Sequence, residues 1–274
     1  MTDLKNQTIG DFGEQWTAFR DNPDYYGSTD MLADIFGPLL SLDEIRGKAV
    51  ADIGSGTGRI VNMLLAAGAR RVVAVEPSAA MRVLKENTTS RADKIEYLEV
   101  PGDRLPPGLD LDYVVSMGVL HHIPEPAPVV RAAFNTLCPG GRCVVWLYGH
   151  EGNETYLAFA LPLRKLTVLL PHRALVALSY VLEAALTVYI GLCRILPLPM
   201  RVYMRGVLAK FTRPIRRLAI YDQLNPAYAK YYRRAEAEAL LSEAGFVDVQ
   251  LYHRHGYSWT VSGMKPVSAD AGTA

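Results

Sequence analysis

The feature that most constrains the fold is an alternation of short apolar runs with helical segments between residues 48 and 149. The apolar runs are "KAVADIG", "RRVVAVE", "KIEYLEV", "LDYVVSM" and "PGGRCVVWLYG". Runs of this length, separated by helices, are typical of parallel strands that are buried on both faces of a sheet. Right-handed crossovers between them produce a doubly wound sheet. Ligands are then expected beyond the carboxyl ends of the strands.

The rest of the chain is expected to flank and complete this sheet. Residues 29–45 read as a helical preamble. Asn225 and Pro226 are typical of an N-cap and a first helical residue, which predicts a helix from there to Leu241. The runs "FVDVQLYHRH" and "YSWTVSGMKP" predict an antiparallel hairpin at the sheet edge. The expected fold class is α/β: a doubly wound, Rossmann-like, mostly parallel seven-stranded sheet with an all-helical insertion after strand five.

Composition narrows the class of protein further. A chain of 274 residues that is 50% hydrophobic can bury a large core. A net charge of +1 gives no reason to expect a nucleic-acid partner. Cys138, Cys143 and Cys193 have neither disulfide-framework nor metal-ligand spacing, so we expect reduced thiols and no metal. The N-terminus lacks the pattern of a signal peptide, and a cytoplasmic location is expected.

The stretch "VADIGSGTGRI", residues 50–60, connects the first strand to a helix through three glycines. Gly54, Gly56 and Gly58 form a GxGxG pattern, and Arg59 stands where a dinucleotide fingerprint has its third glycine. The tight turn is present, whereas the dinucleotide spacing is not.

Five motifs in order resemble those of class I S-adenosylmethionine-dependent methyltransferases. "VADIGSGTGR" is similar to the first motif of that family, and "VVAVEPS" and "VPGDRLP" are similar to later ones. "LDYVVSMGVLHHIPEP" resembles the fourth-strand motif of the ubiquinone and menaquinone biosynthesis type, the type 11 group, and "LCPGGRCVVW" resembles the following turn and strand. The resemblance covers residues 48–148 and 226–264.

This resemblance implies a site for S-adenosylmethionine, released as S-adenosylhomocysteine. It implies that Asp52 contacts the amino group of the cofactor, that Glu76 accepts the ribose hydroxyls and that Asp103 meets the adenine amino group. The implied cofactor-binding residues are Asp52, Gly54, Ser55, Gly56, Gly58, Glu76, Pro77, Asp103, Met117 and Gly118.

Alternatives remain open at this point. A glutamate about twenty residues after the glycine turn also suits a dinucleotide ribose, so an NAD(P)-dependent oxidoreductase is one rival. A non-catalytic membrane-docking or interaction protein on the same fold is another. The glycines could also serve only a tight strand–helix turn.

Several side chains are candidates for work on the acceptor. His121 and His122 follow the fourth strand and are candidate bases, although such a stretch can simply link the strand to its helix. On a strand His253, His255 and Tyr257 would share one face. The candidates for the acceptor pocket are His150, Tyr221, Asp222, Tyr228, His255 and Tyr257.

Residues 155–221 differ from the rest of the chain. They carry ten Lys and Arg residues and one acid, Glu183, for a charge of +9, and the remainder carries −8. The stretch 174–193 is long enough to cross a bilayer, but Glu183 near its centre would cost about 2.5–3.5 kcal/mol there. We expect a helix packed into the protein or lying in a membrane surface.

The stretch 200–212 predicts an amphipathic helix that Pro214 ends. Met200, Tyr203, Met204, Val207, Leu208 and Phe211 share its apolar face, and Arg201, Arg205 and Lys210 border that face. Two interpretations stay open: an interfacial helix on anionic lipid, or a lid helix over the acceptor site.

These observations predict a methyltransferase domain in residues 1–150 and 222–266, a helical insertion in 151–221 and a flexible tail in 267–274. The expected reaction is methyl transfer from S-adenosylmethionine to a hydrophobic small-molecule or lipid-like acceptor, by in-line displacement beneath the insertion. The protein is expected to be cytoplasmic. A further expected partner is the anionic lipid surface at the inner face of the membrane, to which the protein would bind peripherally. The sequence leaves its oligomeric state open.

Overall fold

The computed structural model describes residues 2–167, 170–224 and 228–267. Its seven strands form one sheet in the order β3-β2-β1-β4-β5-β7-β6. The strands are β1 (Ala49–Ile53), β2 (Arg71–Val75), β3 (Ile95–Leu98), β4 (Leu111–Met117), β5 (Leu137–Tyr148), β6 (Val247–Arg254) and β7 (Ser258–Met264). Strands β1 to β5 pair in parallel, and β7 joins β5 and β6 in antiparallel fashion. The fold class predicted from the sequence is confirmed.

Helices cover both faces of the sheet. The helices before and between the parallel strands are α1 (Thr2–Ala18), α2 (Thr29–Phe36), α3 (Leu42–Ile45), α4 (Arg59–Ala66), α5 (Ala80–Thr88) and α6 (Ala127–Thr136). Those that follow β5 are α7 (Glu154–Thr167), α8 (His172–Ile195), α9 (Arg201–Gly206), α10 (Arg213–Leu224) and α11 (Arg234–Ser242).

Two apolar cores follow from the alternation of side chains along the central strands. Val50 and Val72 point to the face covered by α2 and α4, where they meet Leu32 and Leu64. Neighbouring strand residues point to the other face, which α6 and α11 cover. All five residues of β1 are buried, as a parallel strand between two helical layers requires. The carboxyl ends of β1, β2, β4 and β5 therefore meet at one rigid edge.

The N-terminal helix α1 is absent from our sequence interpretation. It lies across the edge of the sheet, and Lys5 is paired with Asp103 at 2.7 Å. Two glycines, Gly10 and Gly13, weaken the intrinsic helix propensity of this segment. Tertiary contacts hold it as a helix instead, among them a hydrogen bond of 2.9 Å from Gln15 Nε2 to Asp222 Oδ1.

The helix predicted from Asn225 to Leu241 begins later than expected. Asn225 and Pro226 lie outside the described residues, and α11 begins only at Arg234, where Glu236 accepts from the Arg233 N–H at 2.8 Å. Residues 228–233 are not helical, because their N–H groups are used elsewhere. The Lys230 N–H donates to the His121 carbonyl, and the Tyr232 N–H donates to the Tyr148 carbonyl, both at 2.8 Å.

The shared strand face predicted for His253, His255 and Tyr257 is also wrong. Strand β6 ends at Arg254, and residues 255–257 form the turn of the hairpin. His255 has a φ of +48°, which rotates its side chain away from the alternation of a strand. The ring of His253 stacks on Trp259 at 4.2 Å, while His255 reaches Asp34.

The prediction for residues 200–214 is wrong in two respects. The helix expected over residues 200–212 is broken: α9 ends at Gly206, and residues 208–210 form a single 3₁₀ turn. Pro214 does not end a helix but stands in the first turn of α10, where its missing N–H costs nothing. Helix α10 continues to Leu224. The domain boundaries remain a prediction, and residues 268–274 of the predicted tail lie outside the described residues.

Helix α8 is long and apolar enough, by length and composition, to cross a bilayer between Arg173 and Ile195. Glu183 within it is buried, and its carboxylate lies 3.4 Å from Arg213 and 3.8 Å from Arg216. The Thr187 hydroxyl donates to the same carboxylate at 2.7 Å. This buried acid therefore joins α8 to α10.

Candidate functional site

A large cavity of about 1,200 Å³ opens at the carboxyl edge of the parallel strands. Its walls come mainly from the loops after the strands, from α1 and from the helices α7 to α10, and α2 and the β6–β7 hairpin add Met31 and Arg254 among others. The edge supplies loop backbone and polar side chains, and the helices supply mainly apolar ones. This is the position at which doubly wound sheets bind ligands.

The glycine turn lets the backbone approach this cavity closely. Gly54 and Gly58 have φ values of +80° and +83°, a region that residues with a side chain rarely adopt. A Cβ on Gly54 would lie 2.5 Å from Val119, and one on Gly58 would lie 2.9 Å from Thr88. The turn thus leaves bare backbone at the cavity, with the N–H of Gly56 donating to Glu76 at 2.8 Å.

Glu76 stands at the end of β2 and is buried at the cavity wall. One carboxylate oxygen accepts from the N–H of Ser78 at 3.0 Å and from its hydroxyl at 2.5 Å. The other accepts only from Gly56 among the hydrogen bonds of the described residues. A carboxylate can accept about four hydrogen bonds, so capacity for a ligand hydroxyl remains.

Two further carboxylates have unmet hydrogen-bonding capacity. Asp52 is 1% exposed, and neither of its carboxylate oxygens has a hydrogen-bond partner among the described residues. Burial raises the pKa of Asp52 to about 7. Asp103 Oδ2 is paired with Lys5, while its buried Oδ1 has no partner in the described part of the chain. Buried acceptors of this kind are expected to be satisfied by a ligand or by water.

The predicted cofactor residues fall into two groups. Most of them line the cavity: Gly54, Ser55, Gly56, Glu76, Pro77, Asp103, Met117 and Gly118. Asp52 and Gly58 do not line it. Gly58 shapes the turn from behind, and a bridging water would connect Asp52 to the amino group of a ligand. An amino-acid nucleoside fits this set, because its ammonium, ribose hydroxyls and adenine amine are the donors that these carboxylates lack.

Helix α1 contributes to the site and was missed from the sequence. Lys5, Ile9, Phe12 and Trp16 line the cavity. The indole of Trp16 comes within 3.4 Å of where a Cβ on Gly56 would be. The spacing of Ile9, Phe12 and Trp16, three and four residues apart, is the signal that could have revealed this face.

The two histidines after β4 have different surroundings. His121 is fully buried, stacks on the Tyr148 ring at 3.7 Å and does not line the cavity. Burial holds the pKa of His121 well below its ordinary value. His122 does line the cavity, and its Nδ1 lies 3.0 Å from the Tyr228 carbonyl oxygen. Because a carbonyl can only accept, Nδ1 carries a proton and Nε2 of the neutral ring is a free base.

A polar cluster surrounds His122 at the end of β5. The Tyr148 hydroxyl donates to Asp222 Oδ2 at 2.8 Å, and Gln15 donates to Asp222 Oδ1 at 2.9 Å. Burial lowers the pKa of His122, while the charge of Asp222 acts in the opposite direction. Burial also raises the pKa of Tyr148 well above its ordinary value, so this phenol stays protonated.

A second polar cluster lies where β6 meets β7. The buried Arg254 guanidinium is hydrogen-bonded to Asp34 and to the Tyr257 hydroxyl. Burial alone would raise the pKa of Asp34, but Arg254 and then His255 hold it below its ordinary value. The Tyr203 ring of α9 packs on Tyr257 at 3.9 Å. Arg254, Tyr203 and Tyr257 all line the cavity.

Only two of the six predicted acceptor-pocket residues line the cavity. Asp222 and Tyr257 line the cavity, whereas His150, Tyr221, Tyr228 and His255 do not. Tyr228 acts through its carbonyl on His122, and His255 lies 2.8 Å from Asp34. Tyr221 packs on Phe19 with ring centroids 5.5 Å apart. No group of three or more possible metal ligands occurs in the described ranges.

The apolar part of the cavity comes from the helical segment. The side chains that the sequence placed on one face of a helix all line it: Met200, Tyr203, Met204, Val207, Leu208 and Phe211. They do so although that helix is broken at Gly206. Leu182, Leu186 and Tyr189 of α8 join them. One continuous space thus has a polar end at the strand edge and an apolar end under these helices.

Comparison with known proteins matches residues 51–145 to the family model of a methyltransferase domain. The ubiquinone biosynthesis O-methyltransferase of Ralstonia nicotianae is 32% identical over 123 residues, which cover 43% of this chain and 50% of that protein. The tRNA U34 carboxymethyltransferase of Alteromonas mediterranea is 28% identical over 123 residues, covering 42% of this chain and 37% of that protein. The chain thus spans half or less of the length of these relatives.

Solved structures agree on the fold. Human N-acetylserotonin methyltransferase in complex with S-adenosylmethionine matches 95% of this chain and 57% of that one, with a TM-score of 0.53 and 15% identity. The family match, the relatives and the glycine turn with its carboxylates all indicate a methyltransferase that uses S-adenosylmethionine. The chain carries a class I S-adenosylmethionine-dependent methyltransferase domain.

Proposed function

We propose that this protein transfers a methyl group from S-adenosylmethionine to a hydrophobic small-molecule or lipid-like acceptor held beneath its helical insertion. One observation carries the proposal: the residues fitted to the cofactor and the apolar side chains of α8 and α9 line the same cavity. Asp222 and Tyr148 line this cavity too. A molecule with one reactive polar atom and an apolar body suits such a space.

When bound, the cofactor supplies an electrophilic methyl group for in-line displacement by a lone pair of the acceptor. The chain itself has to align the acceptor and exclude water. Glu76 and Asp103 would hold the nucleoside, and Asp52 would reach the ammonium through a bridging water. The insertion would cover the acceptor and keep the reacting atoms dry.

His122 is the residue we propose as base where the acceptor atom must lose a proton. Its Nδ1 is committed to the Tyr228 carbonyl, so Nε2 is the nitrogen that takes the proton. Asp222 would stabilise the imidazolium that forms, since its carboxylate raises the pKa of His122. His121 is not proposed for this role, because Tyr148 covers its ring.

The proposal is tested with S-adenosylmethionine labelled in its methyl group and a panel of apolar phenols, quinols and amines, with tRNA as a water-soluble control acceptor. Label in a solvent-extractable product, and none in tRNA, supports the proposal. Label in tRNA alone would overturn the hydrophobic acceptor. Calorimetry with S-adenosylhomocysteine, and with NAD as control, checks the cofactor separately, and binding of NAD alone would favour the oxidoreductase rival.

We also propose that the protein is cytoplasmic and peripheral to the inner face of the membrane. Its described cysteines, Cys138, Cys143 and Cys193, are free thiols, which suits a reducing compartment. Apolar side chains are exposed on α7, α8 and α9, in a basic segment. Cell fractionation tests the location. Release from membranes by high salt supports it, and recovery in the periplasm would contradict it.

A further inference from the structure

The outward face of α8 is an apolar strip that carries no charged side chain. Seven exposed residues share it, spaced three and four apart: Ala177, Val181, Ala184, Ala185, Val188, Leu192 and Ile195. Val181 is 67% exposed and Val188 is 64% exposed, although both are apolar. The strip extends for about 27 Å along the helix at 1.5 Å per residue.

The opposite side of α8 fixes the direction in which this strip points. Leu175, Ile190 and Cys193 are buried there, and Leu182 and Leu186 line the cavity. The buried Glu183 is held by Arg213 and Arg216. Rotating α8 to hide the strip would expose these residues and leave a buried charge without its partners, which is costly. The strip therefore faces outward as a fixed surface.

Basic side chains border the strip. Arg173 and Arg194 are exposed at the two ends of the helix. The Arg217 guanidinium lies 4.3 Å from the ring centre of Tyr180, which is itself 55% exposed beside Val181. Residues 155–221 contain ten basic side chains and one acidic side chain, the buried Glu183. No exposed carboxylate in that segment offsets the positive charge.

We propose that the outward face of α8 docks on an anionic lipid surface, with the helix axis lying in the plane of that surface. The apolar strip would enter the boundary between head groups and acyl chains, and the bordering arginines would pair with lipid phosphates. This surface is not the helix face of residues 200–212 for which the sequence left a lipid-facing interpretation open, since the apolar side chains of that stretch line the cavity.

Two other occupants fit the observations less well. A second copy on the strip would bring together two segments of +9, which repel each other. A transmembrane orientation would pull Glu183 away from Arg213 and Arg216 and expose it to hydrocarbon. Docking in the plane of the surface keeps this ion pair and buries the strip.

Docking also bears on how an acceptor reaches the site. Helix α8 presents one face to lipid and another, with Leu182, Leu186 and Tyr189, to the cavity. It would be the layer that separates a membrane-dissolved acceptor from the cavity. This last point rests on the proposed methyl transfer, whereas docking rests only on the proposed peripheral location, for which it names the surface.

The test compares the full chain with a double variant, Val181→Asp with Val188→Asp. The matched control is Val247→Asp with Val267→Asp, since these valines are 44% and 66% exposed outside the insertion. Co-sedimentation is measured with vesicles of phosphatidylglycerol and phosphatidylcholine, and with phosphatidylcholine alone, at about 0.1 M and about 1 M salt. Calorimetry with S-adenosylhomocysteine shows that each variant keeps its folded cofactor site.

We expect the parent and the control to bind the anionic vesicles, with at least about tenfold weaker binding of the Val181/Val188 variant. High salt and phosphatidylcholine alone should both weaken binding. Absence of binding at low salt, or equal binding of both double variants, would overturn the proposal. So would a dimer without lipid that the Val181/Val188 variant converts to a monomer, or a protein that salt and alkali cannot extract from membranes. Failure of the proposed function would instead show as lost methyl transfer with vesicle binding intact.

Discussion

The hydroxyl of Tyr148, at the end of the fifth strand, donates to the carboxylate of Asp222, on helix α10, at 2.8 Å. This hydrogen bond joins the sheet to α10 at the wall of the cavity. It also lies beside His122, whose ring is 5.5 Å from the Tyr148 ring. The relative position of the His122 ring, the Asp222 carboxylate and the Tyr148 phenol therefore depends on how α10 packs against the sheet.

Asp222→Asn should lower methyl transfer more than it lowers cofactor binding. The amide keeps the shape of Asp222 but removes the charge that favours protonated His122. Hydrogen bonds to charged groups contribute about 1.5–3 kcal/mol, so kcat should fall by roughly 10- to 100-fold. The pH profile of kcat should shift with it. Equal losses in kcat and in S-adenosylhomocysteine affinity would argue for a general structural defect instead.

Glu76→Ala should weaken S-adenosylhomocysteine binding by at least about tenfold, since it removes a buried charged acceptor. The same change also frees the N–H groups of Gly56 and Ser78, so the melting temperature should fall. Calorimetry of the variant measures the affinity. Glu96→Ala on the neighbouring strand is the matched control, because Glu96 is paired with Arg71 at the surface. Unchanged affinity in Glu76→Ala would contradict the assignment of Glu76 as the acceptor of the ribose hydroxyls.

The buried Asp52 should make stability depend on pH. Its pKa of about 7 lies above the ordinary 3.8, so the folded protein holds a proton there that the unfolded chain releases. The ionised form is therefore disfavoured in the fold, and its cost grows as pH rises from about 4 to about 7. Asp52→Asn removes this cost. Its melting temperature should exceed that of the parent by about 4 °C or more at about pH 8, and by much less at about pH 4.

The same carboxyl should make cofactor affinity depend on pH. A ligand ammonium favours ionised Asp52, so the affinity for S-adenosylhomocysteine should rise between about pH 6 and about pH 8, with release of a proton. Calorimetry in buffers of different ionisation enthalpy measures that proton. The Asp52→Asn variant should bind more weakly and with little pH dependence over this range. A proton release unchanged in the variant would assign it to another group.

Trp16 should report on the bound cofactor. Trp16 and Trp146 line the cavity, whereas Trp259 does not and instead donates to Glu151 at 3.2 Å. The intrinsic fluorescence of the protein should therefore change on addition of S-adenosylhomocysteine. Trp259→Phe should keep that change, and Trp16→Phe should lose most of it. A signal that survives in Trp16→Phe but not in Trp146→Phe would place the ligand away from α1.

The sequence was most informative where local pattern and fold agree. The glycine turn and the parallel strands were predictable. Burial on both faces of the sheet requires a continuous, mainly apolar run in a strand such as β1, and such a run is visible in the sequence. Helix α1 was not, since Gly10 and Gly13 weaken the local signal and long-range contacts hold the helix. The strand face predicted for His255 was wrong for a related reason: a turn with positive φ interrupts an apparent strand.

The candidate site shows the same division. Glu76 and Asp103 line the cavity as their motifs imply, Glu76 at the end of β2 and Asp103 in a 3₁₀ turn after β3. The apolar face of residues 200–211 was recognised, but the sequence left open whether it points to lipid or to the acceptor site. That direction depends on the packing of α8 against α10 through Glu183, a contact between residues thirty positions apart. No local pattern records such a contact.

Gln15 of α1 and Asp222 of α10 meet above the cavity at 2.9 Å. This hydrogen bond joins α1, beside the glycine turn, to α10, and the ring contact between Phe19 and Tyr221 lies next to it. A cofactor that orders α1 should therefore also favour one position of α10 beside the proposed acceptor, and by thermodynamic linkage the reverse holds to the same degree. The two ligands should consequently bind cooperatively, each raising the affinity for the other by the same factor, and Gln15→Ala should bring that factor closer to one.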